Sequence, residues 1–177
     1  MKYRLLGKTG IKVSEIALGC EGFMKKSTAE IKEFVEKAHE EGINFIDFYS
    51  SDPDVRSAFG KAIKDKREQW VIEGHLCTIW RNDQYLRTRK IDEVKEGFND
   101  LLTRLQTDYI DIYMLHWPIN KKSVEHFVSL GAAEEEIPSV AEAFSTLKEL
   151  QDEGKIRYIG LSNHGIEQMK EVAATGV

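Results

Sequence analysis

The chain carries only two cysteines, Cys20 and Cys77, far apart and in no Cys-x-x-Cys pair. That scarcity argues against a disulfide framework or a zinc knuckle and leaves two ordinary reduced thiols. No apolar run approaches the length that spans a bilayer. The opening Met1-Lys2-Tyr3-Arg4-Leu5-Leu6-Gly7-Lys8 lacks the apolar stretch of a signal peptide, so a cytoplasmic location is expected. Positive charge is also short, with 25 Lys and Arg against 30 Asp and Glu for a net charge of −5. A nucleic-acid partner is therefore not expected, because such proteins carry a basic footprint. The clusters Lys25-Lys26 and Lys64-Asp65-Lys66-Arg67 are brief and read as solvated faces. No linker-like or low-complexity segment divides the chain. Its 177 residues, 41% of them hydrophobic, suit one domain over 1–177 with a sizeable core, or a piece of a larger one.

What is present is a regular alternation. Tyr3-Arg4-Leu5-Leu6 and Ile11-Lys12-Val13 flank Gly7-Lys8-Thr9-Gly10, a hairpin signal. Ile16-Ala17-Leu18-Gly19 is a short apolar strand. Ser27-Thr28-Ala29-Glu30 has the form of a capping box, in which a hydroxyl and a carboxylate satisfy each other's backbone amides. Ile31, Phe34, Val35 and Ala38 then fall on one helical face, and Gly42 suits the residue that ends that helix. The second strand is Asn44–Tyr49, with a helix from about Asp54 to Lys64. The third is Trp70–His75, followed by a polar loop and an amphipathic helix with Ile91, Val94, Phe98, Leu101 and Leu105 inward. The fourth ends at His116, stopped by Pro118, which has no N–H to give a ladder. An irregular connection from Ile119 to Pro138 leads to a helix capped by Ser139, with Val140, Phe144, Leu147 and Leu150 apolar and Gly154 at its end. The fifth strand is Ile156–Asn163, and a last helix runs from about Gly165 to Thr175-Gly176.

A hairpin plus five strand–helix units implies a parallel sheet with right-handed crossovers. A closed (β/α) barrel takes eight units, so the pattern stands about three units short of one. In such folds the carboxyl ends of the strands share one rim. Collected there are Cys20 and Glu21, Asp47 and Tyr49, His75, His116, and Ser162, Asn163 and His164. Each has a plain structural reading: Asp47 as a capping carboxylate, His75 and His116 as strand-end imidazoles bonded to backbone, Ser162 and Asn163 as helix caps. Five successive strands bringing polar groups to one rim point to a site.

The chain resembles the aldo-keto reductases, which are (β/α) barrels that reduce carbonyls with NADPH. The matching segments are Tyr3-Arg4-Leu5-Leu6-Gly7-Lys8-Thr9-Gly10-Ile11-Lys12-Val13-Ser14, Leu18-Gly19 and Gly42-Ile43-Asn44-Phe45-Ile46-Asp47. They continue with Leu105-Gln106-Thr107-Asp108-Tyr109-Ile110-Asp111, Leu115-His116-Trp117-Pro118 and Gly154-Lys155-Ile156-Arg157-Tyr158-Ile159-Gly160-Leu161-Ser162-Asn163. The resemblance implies a TIM-type barrel truncated to its N-terminal hairpin and five βα units, a small carbonyl substrate and NADPH as cofactor. It assigns Asp47 as the family's aspartate and His116 as the histidine that orients the carbonyl. The family's general-acid tyrosine is expected where Asp52 stands, and its lysine where the chain reads Gly74-His75. Tyr49 is the nearby phenol, and two-residue spacing on a strand puts it on the face of Asp47. His75, if protonated, replaces the lysine's charge in part. Gly19, Ser162 and Asn163 are the implied cofactor contacts.

Asp47-Phe48-Tyr49-Ser50 with Gly74-His75-Leu76-Cys77 is also similar to a branch of the family with an iron–sulfur tail; the sequence holds no such tail, so no cluster is expected. Two further functions compete with carbonyl reduction. One is a non-catalytic dinucleotide-binding or regulatory module. The other is a metal-dependent hydrolase or isomerase using Glu21, Asp47, His75, His116 and His164 as ligands. A five-unit sheet would also expose two edges, which favours self-association.

Overall fold

The computed structural model describes residues 1–76, 78–88, 90–116 and 140–176. An antiparallel hairpin of β1 (Tyr3–Leu5) and β2 (Lys12–Ser14) opens the chain, with Gly7 and Gly10 at positive φ in its turn. There follow β3 (Leu18–Gly19), α1 (Thr28–Glu40), β4 (Phe45–Phe48), α2 (Pro53–Ile63) and β5 (Val71–His75). Next come an antiparallel pair, β6 (Thr78–Arg81) and β7 (Gln84–Arg87), then α3 (Ile91–Leu105) and β8 (Ile110–Leu115). The described chain closes with α4 (Val140–Asp152), β9 (Ile156–Leu161) and α5 (Ile166–Ala173). Strands β3-β4-β5-β8-β9 form one sheet in that order, and every neighbouring pair is parallel. All five therefore end at the same rim.

Local chemistry explains where the helices start and stop. Ser27 and Glu30 form the expected capping box at α1, and Gly42 follows that helix at φ +84°. Asp52 takes the amides of Asp54 and Val55 on its carboxylate and Pro53 occupies the first turn, so α2 begins there. Gln106 adopts a left-handed conformation to end α3. Alternation along the strands then divides the core. Ile46, Phe48, Ile72 and Tyr113 pack outward against the helices, with Val35, Phe59, Phe98 and Leu147 in the same cluster. On the other face Val71 and Ile112 pack with Val13 of the hairpin, and Phe45, Met114 and Tyr158 lie against them.

Three expectations are corrected. The polar loop after the third strand is instead the β6–β7 hairpin. Its turn residues Asn82 and Asp83 both have positive φ (52° and 57°), the geometry that matches hairpin twist. Phe34 is 53% exposed rather than inward, because Ile31, Val35 and Ala38 centre the buried stripe and Phe34 lies at its edge, edge-on to Phe23. Arg67 is buried rather than solvated. It donates to Asp111 at 2.9 Å, and Arg157 reaches the same carboxylate at 3.0 Å. Cys77, the Trp117-Pro118 turn, the connection from Ile119 to Pro138, the Ser139 cap and the Val140 side chain lie outside the described residues. Among the described residues no helix is long and apolar enough to cross a membrane.

Candidate active site

The sheet brings the predicted rim residues together because parallel register places them side by side. Asp47 on β4 pairs in register with Glu73 on β5, and His75 with Met114 on β8. Glu73 and His75, two apart, share one face of β5, and His116 follows directly after β8. His75 and His116, 41 residues apart, thus meet with Nδ1 to Nδ1 at 3.0 Å and ring centroids at 4.7 Å. Just past β9, Ser162 Oγ lies 2.7 Å from His116 Nδ1 and Asn163 Nδ2 lies 3.3 Å from His116 Nε2. The Tyr49 ring stands edge-on to His75 at 5.5 Å and tilted against His116 at 5.2 Å. Gly19, Cys20, Glu21 and Gly22 after β3 complete a pocket of about 580 Å³ with Asp47, Tyr49, His75 and His116. Ser162 and Asn163 reach it through His116, and His164 turns its Nδ1 to the Ser162 carbonyl at 2.7 Å.

His75 is the electrostatic centre. It is 6% exposed, and its Nε2 faces Asp47 at 2.8 Å and Glu73 at 3.5 Å. The Asp47 oxygen lies off the line of the Nε2–H bond, so that contact is an ion pair and not an aligned hydrogen bond. Burial works against charging the ring, but the two carboxylates outweigh it and push the pKa up from 6.5 to about 9. A ring with its pKa so raised holds its proton at neutral pH far better than an unperturbed imidazole does. Burial, helped by the nearby Asp47 carboxylate, pushes the Cys20 thiol up to about 11 even though it accepts the Ser50 amide.

Glu73 is a member of the site that the sequence reading missed. Its signal was a carboxylate two residues before His75 inside an otherwise apolar strand. Trp80 is the other. On β6 it joins Met24, Tyr49 and Asp52 around a neighbouring pocket of about 350 Å³ that shares Tyr49 and Glu21 with the first. Asp52, at the position expected for the general-acid tyrosine, is held in the α2 cap.

The residues present suit the nicotinamide end of a dinucleotide. No atom lies within 4 Å of where β-carbons on Gly19 and Gly22 would project, which leaves backbone open to a flat ring, and Ser162 and Asn163 offer a hydroxyl and an amide for a carboxamide. Among the described residues lining the pocket there is no lysine or arginine to pair with a phosphate. The ligand atoms of Asp47, Glu73 and His75 lie within 4.8 Å of one another.

A sequence profile of the Aldo/keto reductase family matches residues 15–177. The aldo-keto reductase YhdN of Bacillus subtilis is 36% identical over 182 residues, covering 96% of this chain and 49% of the relative. The methylglyoxal reductase DkgA of Escherichia coli is 32% identical over 160 residues, covering 88% and 49%. Among solved structures, an aldo-keto reductase of Bacillus halodurans in its holo form superimposes with a TM-score of 0.78 at 26% identity, covering 99% of this chain and 54% of that one. The chain therefore spans about half the length of the curated relatives it matches.

Proposed function

The chain belongs to the aldo/keto reductase family, and on that premise we propose that it carries the carbonyl-handling half of an oxidoreductase that interconverts a small carbonyl compound and its alcohol with NADPH. The observation that carries this reading is the contiguous set Asp47–His75–His116–Ser162 on one rim. When bound, a reduced nicotinamide supplies two electrons and a hydrogen as hydride. Everything else falls to the chain's own groups. His75, held cationic by Asp47 and Glu73, places positive charge where a carbonyl oxygen turns into an alkoxide. His116 orients that oxygen. Tyr49 walls the site and fixes both imidazole rings by packing on them. Ser162, Asn163 and Gly19 contact the nicotinamide end. A cytoplasmic setting and self-association through the outer strands β3 and β9 belong to the same reading.

The test is a thermal melt of the full chain with and without saturating NADPH or NADH, followed by dinucleotide consumption with a panel of small carbonyls. Methylglyoxal, named in the DkgA relative, is the first to try. A melt raised by NADPH more than by NADH, with turnover, is the expected result. A melt moved by neither refutes the reading. A shift without turnover leaves the dinucleotide-binding module in its place.

A further inference from the structure

We infer that the proton for the carbonyl oxygen is delivered by a two-imidazole relay, passing from His75 Nδ1 to His116 Nδ1 while His116 Nε2 gives its own proton to substrate. The relay rests on the reductase reading for what consumes the proton, whereas its proton placement rests on geometry alone. Asp52 is spent as a helix cap, so no phenol stands where the family keeps its acid. Among the described residues, the groups facing His75 are Asp47 and Tyr49 from β4 and its end, Glu73 from its own strand, and His116 after β8.

Those neighbours dictate where the hydrogens sit. Two carboxylates at Nε2 require a hydrogen there, because a bare lone pair would face negative oxygens. Two Nδ1 atoms 3.0 Å apart require one hydrogen between them. With His75 cationic, that hydrogen belongs to His75 and His116 Nδ1 accepts it. His116 is then the neutral Nε2–H tautomer. Its Nε2–H donates to the Asn163 amide, with the oxygen end turned toward it; the two ends of an amide are interchanged by a flip. Ser162 Oγ, 2.7 Å from His116 Nδ1, is placed to accept from that atom once it has become protonated.

The step balances. A bound reduced nicotinamide would supply the hydride, its own C–H bond breaking as the substrate C–H bond forms and the carbonyl π pair moves to oxygen. The His116 Nε2–H bond breaks as the O–H bond forms. His116 Nδ1 gains the His75 Nδ1 proton, leaving His75 neutral with Nε2–H toward Asp47. The products are an alcohol and an oxidised nicotinamide; solvent then protonates His116 Nε2, and the His116 Nδ1 proton passes back to His75 Nδ1, restoring the starting pair.

The test is ¹⁵N-histidine NMR of the full chain across about pH 6–10, joined to pH profiles of kcat with NADPH and a turned-over carbonyl. Expected are a doubly protonated His75 at neutral pH, a His116 Nε2–H tautomer beside it, and an alkaline limb of kcat that follows His75 deprotonation. In His75→Gln, kcat at neutral pH falls by about 100-fold, the scale of general-acid catalysis, and the limb vanishes. In Glu73→Gln, which keeps the ring, both the NMR titration and the limb move to lower pH. The limb persists in Tyr49→Phe. A His116 Nδ1–H tautomer at neutral pH, a neutral His75, or a limb lost in Tyr49→Phe overturns the relay. Absence of dinucleotide binding and turnover in the unsubstituted chain overturns the reductase reading instead, and the NMR tautomers still decide the proton placement.

Discussion

His75 ties the stability of the fold to pH in a way that can be computed and checked. Its pKa is pushed from 6.5 to about 9 in the folded chain, chiefly by the Asp47 and Glu73 carboxylates acting against burial. A group whose folded pKa is raised stabilises fully below its unfolded pKa and loses that stabilisation as pH climbs through the folded value. At about 1.4 kcal/mol per unit, the full shift is worth about 3 kcal/mol, and water around the half-exposed Asp47 trims this toward about 2. The perturbation is His75→Gln, and the assay is urea unfolding of both proteins at about pH 6, 7.5 and 9.5. The stability difference between them should be largest at the lowest pH, still be most of its full size at pH 7.5, and fall by about 2–3 kcal/mol by pH 9.5. Other titrating groups cancel in the difference. A gap that stays constant across this range to within about 0.5 kcal/mol refutes the charged pair, and with it the cationic His75 of the relay.

Other consequences follow from buried groups away from the rim. Asp111→Ala strips Arg67 of its buried partner and removes the acceptor of the Ile72 amide, so equilibrium unfolding should show a loss of about 3–5 kcal/mol. Gly60→Ala would drive a β-carbon into the Arg104 carbonyl oxygen where α2 packs on α3; a loss of about 1–3 kcal/mol is expected in the same assay. Cys20, 1% exposed and titrating near 11, should resist a thiol reagent at pH 8 in the native chain and react at once in denaturant.

Much of this protein is legible one segment at a time. The capping box at Ser27, the turn at Gly42, the apolar stripes of α1 and α3 and the alternation of strand with helix all depend on neighbours a few residues away. The side-chain period along a strand is likewise local, which is why Asp47, His75 and His116 were assignable to one rim. The β6–β7 hairpin escaped because its Asn82-Asp83 turn is a weaker signal than a glycine turn. Arg67 escaped because a short basic run looks solvated until its partner Asp111, on a strand far along the chain, is brought beside it.

What the sequence determined by itself was the set of elements and the end of the sheet at which polar groups gather. What only the tertiary structure decided was which of those groups touch. Parallel register set Glu73 beside Asp47 and brought His75 against a second imidazole and between those two carboxylates, whose charge raised its affinity for a proton against the cost of burial. The physical reason is one of range. Backbone propensity and capping act within a few residues, whereas the free energy of a charge depends on every group within several ångströms in space, and those groups arrive from strands that only folding makes adjacent.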